Sequence, residues 1–159
     1  MEGQTSLEVL EAVVEGLTQA GLMVILNNHN SRAGWCCSEQ DREGLWWTAK
    51  YLQEMWLQAL AAMAENYATN PRVVGLDLRN ELRRAHGHSS VWGGGGQYDW
   101  ARAAETAGNL VLDINPGLLV IVEGLEYAGT VEGARERPLQ VRLSCIHSVG
   151  TQLFPSLFP

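Results

Sequence analysis

Asn80 and Glu81 stand side by side at the end of the run Val73-Val74-Gly75-Leu76-Asp77-Leu78-Arg79, where a short buried β-strand delivers an amide and a carboxyl together. A strand needs only its apolar residues for burial, so a polar pair where it stops suggests a site. Glu81 could protonate a leaving oxygen if partial burial kept its carboxyl neutral, and Asn80 could donate to a substrate hydroxyl. The plainer alternative is an ordinary strand exit. Glu123 follows a second apolar run, Leu118–Val122, with Gly124 permitting a sharp turn behind it. Two carboxyls about 5 Å apart suit hydrolysis with retention and a wider gap suits inversion, and strand adjacency does not fix that distance. Glu123 is therefore read first as structural or substrate-lining.

Asn27-Asn28-His29-Asn30 closes a third run, Leu22–Leu26. There a neutral imidazole at His29 can orient a hydroxyl or a carboxylate without binding metal. Trp35, Trp46, Trp47 and Trp92 fall in the same loops, where indole faces can cover the apolar faces of sugar rings; core packing is the rival reading for each. Trp56 lies at a helical core position. His86 and His88 read as solvent-facing, and His147 is isolated. Gly93–Gly96 lacks the lysine and hydroxyl residue of a phosphate loop, and no G-x-S-x-G elbow is present.

The elements that must position these groups follow from the apolar period. Thr5 and Glu8 have capping-box spacing ahead of Leu7, Leu10, Val13, Val14 and Leu17 on one helical stripe, which Gly21 closes. The strand Leu22–Leu26 is expected to be covered on both faces. A helix over 48–67 is predicted to turn Leu52, Met55, Trp56, Ala59, Leu60 and Met63 inward, and Asn70-Pro71 stops it. Asp99 is placed to cap a helix burying Trp100, Ala103, Ala104, Ala107, Leu110 and Val111. The order αβαβαβ with right-handed crossovers gives an α/β fold of parallel strands with outer helices. Polar or aromatic residues after every strand favour a slice of a (β/α)8 barrel over a small open sheet. A whole barrel takes roughly 250 residues, and this chain has 159.

Composition narrows the functional classes. The chain is 46% apolar and carries a net charge of −7, so it can build a core but gives no support for nucleic-acid or anionic-membrane binding. No stretch has the length of a membrane span, and no signal-peptide pattern opens the chain. Three cysteines, two of them adjacent (Cys36-Cys37), show no zinc-ligand spacing.

The segments GLMVILNNHNSRAGWCCS, NPRVVGLDLRNEL and DWARAAETAGNLVLDINPGLLVIVEG, in that order and spacing, resemble family 5 glycoside hydrolases, especially cellulase-like endoglucanases. The similarity spans about residues 7 to 138. It implies a (β/α)8 barrel whose third, fourth and fifth strands are these three. It also implies a retaining hydrolase of β-linked glucans or mannans that uses no metal or other cofactor and is commonly secreted. By the same resemblance Glu81 is the acid/base, Asn80 holds the sugar's 2-hydroxyl, and His29 is the histidine after the third strand. The family's nucleophile, a Glu after the seventh strand, has no counterpart here. Neither has the arginine after the second strand, and Ile146-His147-Ser148-Val149 lacks the expected His-x-Tyr pattern. In a secreted enzyme Cys36 and Cys37 could pair with partners elsewhere, and the sequence leaves their pairing open.

The expected organisation is a partial barrel over 1–138 and an atypical tail over 139–159, outside the normal barrel, with a weak strand at Leu143–Ile146 and an apolar end, Leu153–Pro159. The expected ligand is a β-linked polysaccharide or oligosaccharide, with little or no turnover by the isolated chain. The rival readings are a non-catalytic carbohydrate-binding remnant and an inactive gene-model fragment.

Overall fold

The computed structural model describes residues 3–34, 36–142 and 146–149. Among them α1 (Ser6–Gln19), β1 (Val24–Asn27), α2 (Gln53–Asn66), β2 (Val73–Asp77), α3 (Trp100–Ile114), β3 (Leu119–Glu123), the short α4 (Leu125–Ala128) and α5 (Glu132–Glu136), and β4 (Ile146–Val149) follow in turn. The strands form one sheet in the order β1-β2-β3-β4, each neighbouring pair parallel. Parallel neighbours need a crossover between them, and α2 and α3 supply it. This is the strand–helix alternation of part of a (β/α)8 barrel. Register pairs Asn27 with Asp77 and Asp77 with Ile121, so the first three strands run out together at one edge.

Three indoles fill the core beneath that edge. Trp46 and Trp100 have ring centroids 5.4 Å apart, and Trp56 lies 6.3 and 6.0 Å from them. Two of the three satisfy their N–H on strand-end carbonyls, Trp56 on Leu78 and Trp100 on Glu123, each at 2.9 Å. A buried indole needs such a partner, and here the bond also fixes the strand ends.

The capping box at Thr5 and Glu8 forms as the spacing predicts, and Gly21 follows the helix at φ 87°. The stripe above it does not go inward. Leu7, Leu10, Val13 and Leu17 are exposed, and of α1 only Val14 and Thr18 are buried. β1 is likewise covered on one face, not two. Val24 and Leu26 are buried while Ile25 is 52% exposed, because no second layer lies against that face among the described residues. α2 begins at Gln53, after Thr48 has taken the N–H groups of Lys50 and Tyr51. It buries Trp56, Leu60 and Ala64, whereas Leu52, Met55 and Ala59 face outward. α3 fits its expected face closely, with Ala101, Gly108 and Leu112 added and Leu110 only half-buried.

β4 pairs with β3 inside the 139–159 segment that was expected to stand outside the barrel, so the sheet's backbone continues to residue 149. Leu143–Cys145, the start of the weak strand, and the apolar end Leu153–Pro159 lie outside the described residues. Among the described residues no helix is long and apolar enough to cross a membrane.

Candidate functional site

Asp77 closes β2 and is only 7% exposed. A carboxyl there must be hydrogen-bonded or lose its charge. Its Oδ2 accepts from Asn27 Nδ2 at 2.8 Å, and the Asn27 Oδ1 in turn meets His29 Nδ1 at 3.0 Å. On the other side Glu123 lies against the Asp77 carboxyl, close enough for each to bear on the other's charge. Glu123 Oε2 accepts the backbone N–H of Glu81 at 2.8 Å. One chain of contacts therefore joins His29, Asn27, Asp77, Glu123 and Glu81 across the ends of three strands. Asn80 is held beside it, its N–H on the Asn28 carbonyl at 3.0 Å and its side-chain amide 3.8 Å from Cys37 Sγ.

Burial raises the Asp77 carboxyl above the usual range, against the pull of Glu123, Asn27 and the Arg79 N–H. Burial also pushes Glu123 up to about 7; the N–H of Glu81 opposes this, while the Asp77 carboxyl and the charge of Glu81 add to it. Two like charges set this close oppose each other, so ionisation of either carboxyl makes ionisation of the other harder.

Two buried arginines hold the loops around this edge. Arg83, 1% exposed, donates from Nη2 to Asp41 Oδ2 at 2.7 Å, from Nη1 to the Glu81 carbonyl at 2.9 Å and from Nε to the Ser38 carbonyl at 3.3 Å. Arg79 is fully buried and donates to Asn28 Oδ1 and to the Glu43 carbonyl. Burial lowers its guanidinium to about 10, with Glu43 opposing the shift. At Asp41 burial alone would raise the carboxyl, but the N–H groups of Ser38 and Glu43 and the Arg83 guanidinium outweigh it and hold the group below its usual range. The loop from 38 to 44 can approach this closely because Gly44 has no Cβ, which would overlap the Arg83 backbone.

Of the four tryptophans, the three that are described do not gather around Glu81. Trp46 is 1% exposed and belongs to the indole core, with its N–H on Gln53, which corrects its assignment to sugar binding. Trp92 packs over Gly133 and donates to the Arg137 carbonyl at 2.9 Å, anchoring a loop. Trp47 stays half-exposed beside Tyr98, on a cavity of about 440 Å³ between the N-terminal ends of α2 and α3. Trp35 lies outside the described residues. His86 and His88 are exposed, and His88 stacks on Tyr98. The backbone of His147 lies in β4.

Cys36 and Cys37 are joined to each other, not to distant partners. Their sulfurs and His29 cluster within 4.8 Å, but two sulfurs bonded to one another offer no thiolate to a metal. Asp77, Arg79, Arg83, Asp41 and Glu43 went unremarked in the sequence. The signal was there for the first two, since Asp77 interrupts the apolar run from Val73 to Leu78 and Arg79 follows it directly.

The family model Cellulase (glycosyl hydrolase family 5) matches residues 1–149. An endoglucanase of Paenibacillus polymyxa is 34% identical over 125 residues, covering 79% of this chain and 29% of the relative. The major extracellular endoglucanase of Xanthomonas campestris pv. campestris is 36% identical over 126 residues, 79% of this chain and 24% of that protein. The solved catalytic domain of the major endoglucanase from Xanthomonas campestris pv. campestris superposes with a TM-score of 0.79 at 29% identity, over 94% of this chain and 44% of the domain. The chain thus spans less than a third of the length of these two sequence relatives.

Proposed function

We propose, from the premise that the chain belongs to the cellulase family, glycosyl hydrolase family 5, that its sheet edge carries the acid/base half of a site hydrolysing β-glycosidic bonds in a glucan. The observation that carries this is the placing of Glu81 and Asn80 together at the C-terminal end of β2, within hydrogen-bonded reach of the β1 and β3 ends. That edge is where a barrel of this kind presents its chemistry. In this reading Glu81 protonates the leaving oxygen and then, as a carboxylate, takes a proton from the attacking water, which is the retaining sequence. Asn80 donates to a sugar hydroxyl, and His29 borders a cleft of about 380 Å³ formed by residues 27–34. Glu123 is ill-suited to be the nucleophile because its Oε2 is engaged by the Glu81 N–H. The covalent partner is not among the described residues of this cluster, so weak turnover at most is expected of the chain alone.

The name of the Xanthomonas relative, an extracellular enzyme, supports action outside the cell. The substrate reading is tested by titrating ¹⁵N-labelled full chain with cellotetraose and assaying reducing-sugar release from carboxymethylcellulose. Shifts centred on His29, Asn80 and Glu81, with any turnover lost in E81Q, are expected. Turnover that survives E81Q would sink the assignment of Glu81, and shifts confined to Trp47, Tyr98 and His88 without turnover would favour a binding surface.

A further inference from the structure

We propose that Asp77 and Glu123 hold one proton between them and act together as a positioning pair that sets the backbone of Glu81. This rests on reading Glu81 as the acid/base and supplies what that reading lacks, a cause for the residue's conformation.

Glu81 has φ 43°, in the left-handed region that a residue with a Cβ adopts only when its surroundings hold it there. The restraints come from both sides of its own peptide units. Its N–H is taken by Glu123 Oε2, and its carbonyl receives Arg83 Nη1. Glu123 can serve as a fixed acceptor only if its carboxyl is itself anchored, and the group against it is the buried Asp77 carboxyl. Asp77 Oδ2 already accepts from Asn27. Asp77 Oδ1 is buried and, with both carboxyls ionised, has no donor. Burying an acceptor without a partner is costly, and so is setting two like charges in contact. A single proton carried by Glu123 and donated to Asp77 Oδ1 removes both penalties and leaves Glu123 Oε2 free for the Glu81 N–H. Burial raises both groups, Glu123 to about 7.

The groups facing the pair are few among the described residues. From the β1 end they are Asn27 and His29, whose positive form would favour ionised Asp77. From the segment after β2 they are the N–H groups of Arg79 and Glu81 and the Glu81 carboxylate. From α3, Trp100 donates to the Glu123 carbonyl.

Carboxyl ¹³C NMR on the full chain, followed from pH 4 to 9 alongside the Glu81 amide resonance, tests the pair. Glu123 should titrate with a midpoint near 7, and the Asp77 carboxyl and Glu81 amide resonances should move with it. In E123Q the amide side chain reproduces the protonated arrangement, one N–H to Asp77 and an oxygen for Glu81. The Glu81 amide should then keep its low-pH position at every pH. In D77N the Glu123 midpoint should fall, since the like charge is gone. E81Q keeps the backbone N–H, so the joint titration should persist with a slightly lower midpoint. Glu123 titrating alone in the ordinary carboxylate range, or a Glu81 amide that stays still through the midpoint, would overturn the proposal. The wild-type titration decides this even if a variant fails to fold. A failed titration leaves the E81Q turnover test intact, and the reverse also holds.

Discussion

The chain repeats one unit, a helix followed by a parallel strand, and its first and third copies end in opposite states. At the α3/β3 centre the helix buries eight residues from Trp100 to Leu112, and Val120, Ile121 and Val122 are all buried. At the α1/β1 edge the helix buries two, and Leu10, Val13, Leu17, Met23 and Ile25 face outward. Local sequence is not what separates them, since α1 has a well-formed capping box and an apolar stripe of ordinary length. The number of neighbours is. A strand inside the sheet has partners on both sides and a helix across its face, while an edge strand has one partner and leaves the rest of its apolar surface in water. The polar cluster sits on the well-packed side of this divide, anchored by Asp77 and Glu123 on β2 and β3, and reaches the edge only through Asn27 and His29.

The largest expected effect separates the two regions directly. Trp100→Ala should cost about 3–5 kcal/mol, because it empties the indole core and strips the Glu123 carbonyl of its donor. Leu10→Ala on α1 should stay within about 0.5 kcal/mol, as for other exposed positions. Urea unfolding followed by circular dichroism measures both. Equal costs would mean that α1 is buried against something besides β1.

The second contrast is electrostatic and opposite in sign at the two ends. Glu123, at the centre, holds its proton to about 7, above the ordinary value near 4.5. Between those limits the folded chain binds more protons than the unfolded one, so stability declines as pH rises through that window and levels off above it. The loss should be on the order of 2 kcal/mol once partial solvent screening is allowed for, and E123Q should flatten it. Glu8, at the edge, is held below its usual value by the backbone and hydroxyl of Thr5. Its contribution is present above the ordinary value and is lost as pH falls. Thermal melts of wild type and E123Q across pH 4 to 8 read the first effect, and a curve that rises through neutrality would contradict it.

How far the sequence could be read follows the same divide. The strand at Val73, the cap at Asp99 and the inner face of α3 were legible because local pattern and final environment agree there. The stripes of α1 and α2 were not, because periodicity shows that a face is apolar and says nothing of what covers it. At the site, Asn80, Glu81, Glu123 and His29 could be picked out as polar groups at strand ends. Their linkage through Asp77 could not, since it depends on register between strands 50 and 46 residues apart (Asn27 to Asp77, Asp77 to Glu123). Trp46 misled for a related reason. A tryptophan in loop sequence looks available for ligand, and only the fold shows it turned under the sheet edge.

The smallest effects sharpen the comparison most finely, because the same device caps both helices. Thr5 caps α1 from the surface, accepting one N–H, that of Glu8, at 3.3 Å. Asp99 caps α3 from a buried position, accepting the N–H groups of Arg102, Gly93 and Gly95 at 3.1, 3.0 and 2.9 Å. Those two glycines belong to a run of four at positive φ, so the one carboxylate both starts the helix and folds the loop before it. Asp99→Ala should therefore cost about 2 kcal/mol, the upper end for a cap, and Thr5→Ala about 0.5–1. Hydrogen exchange gives the locality as well as the size. Loss of the Thr5 cap should speed exchange in the first turn of α1 alone, whereas loss of Asp99 should speed it through the 93–96 loop and into α3. If Thr5→Ala loosened β2 or β3 as well, the edge would be supporting the centre, and the division between the two regions would have to be given up.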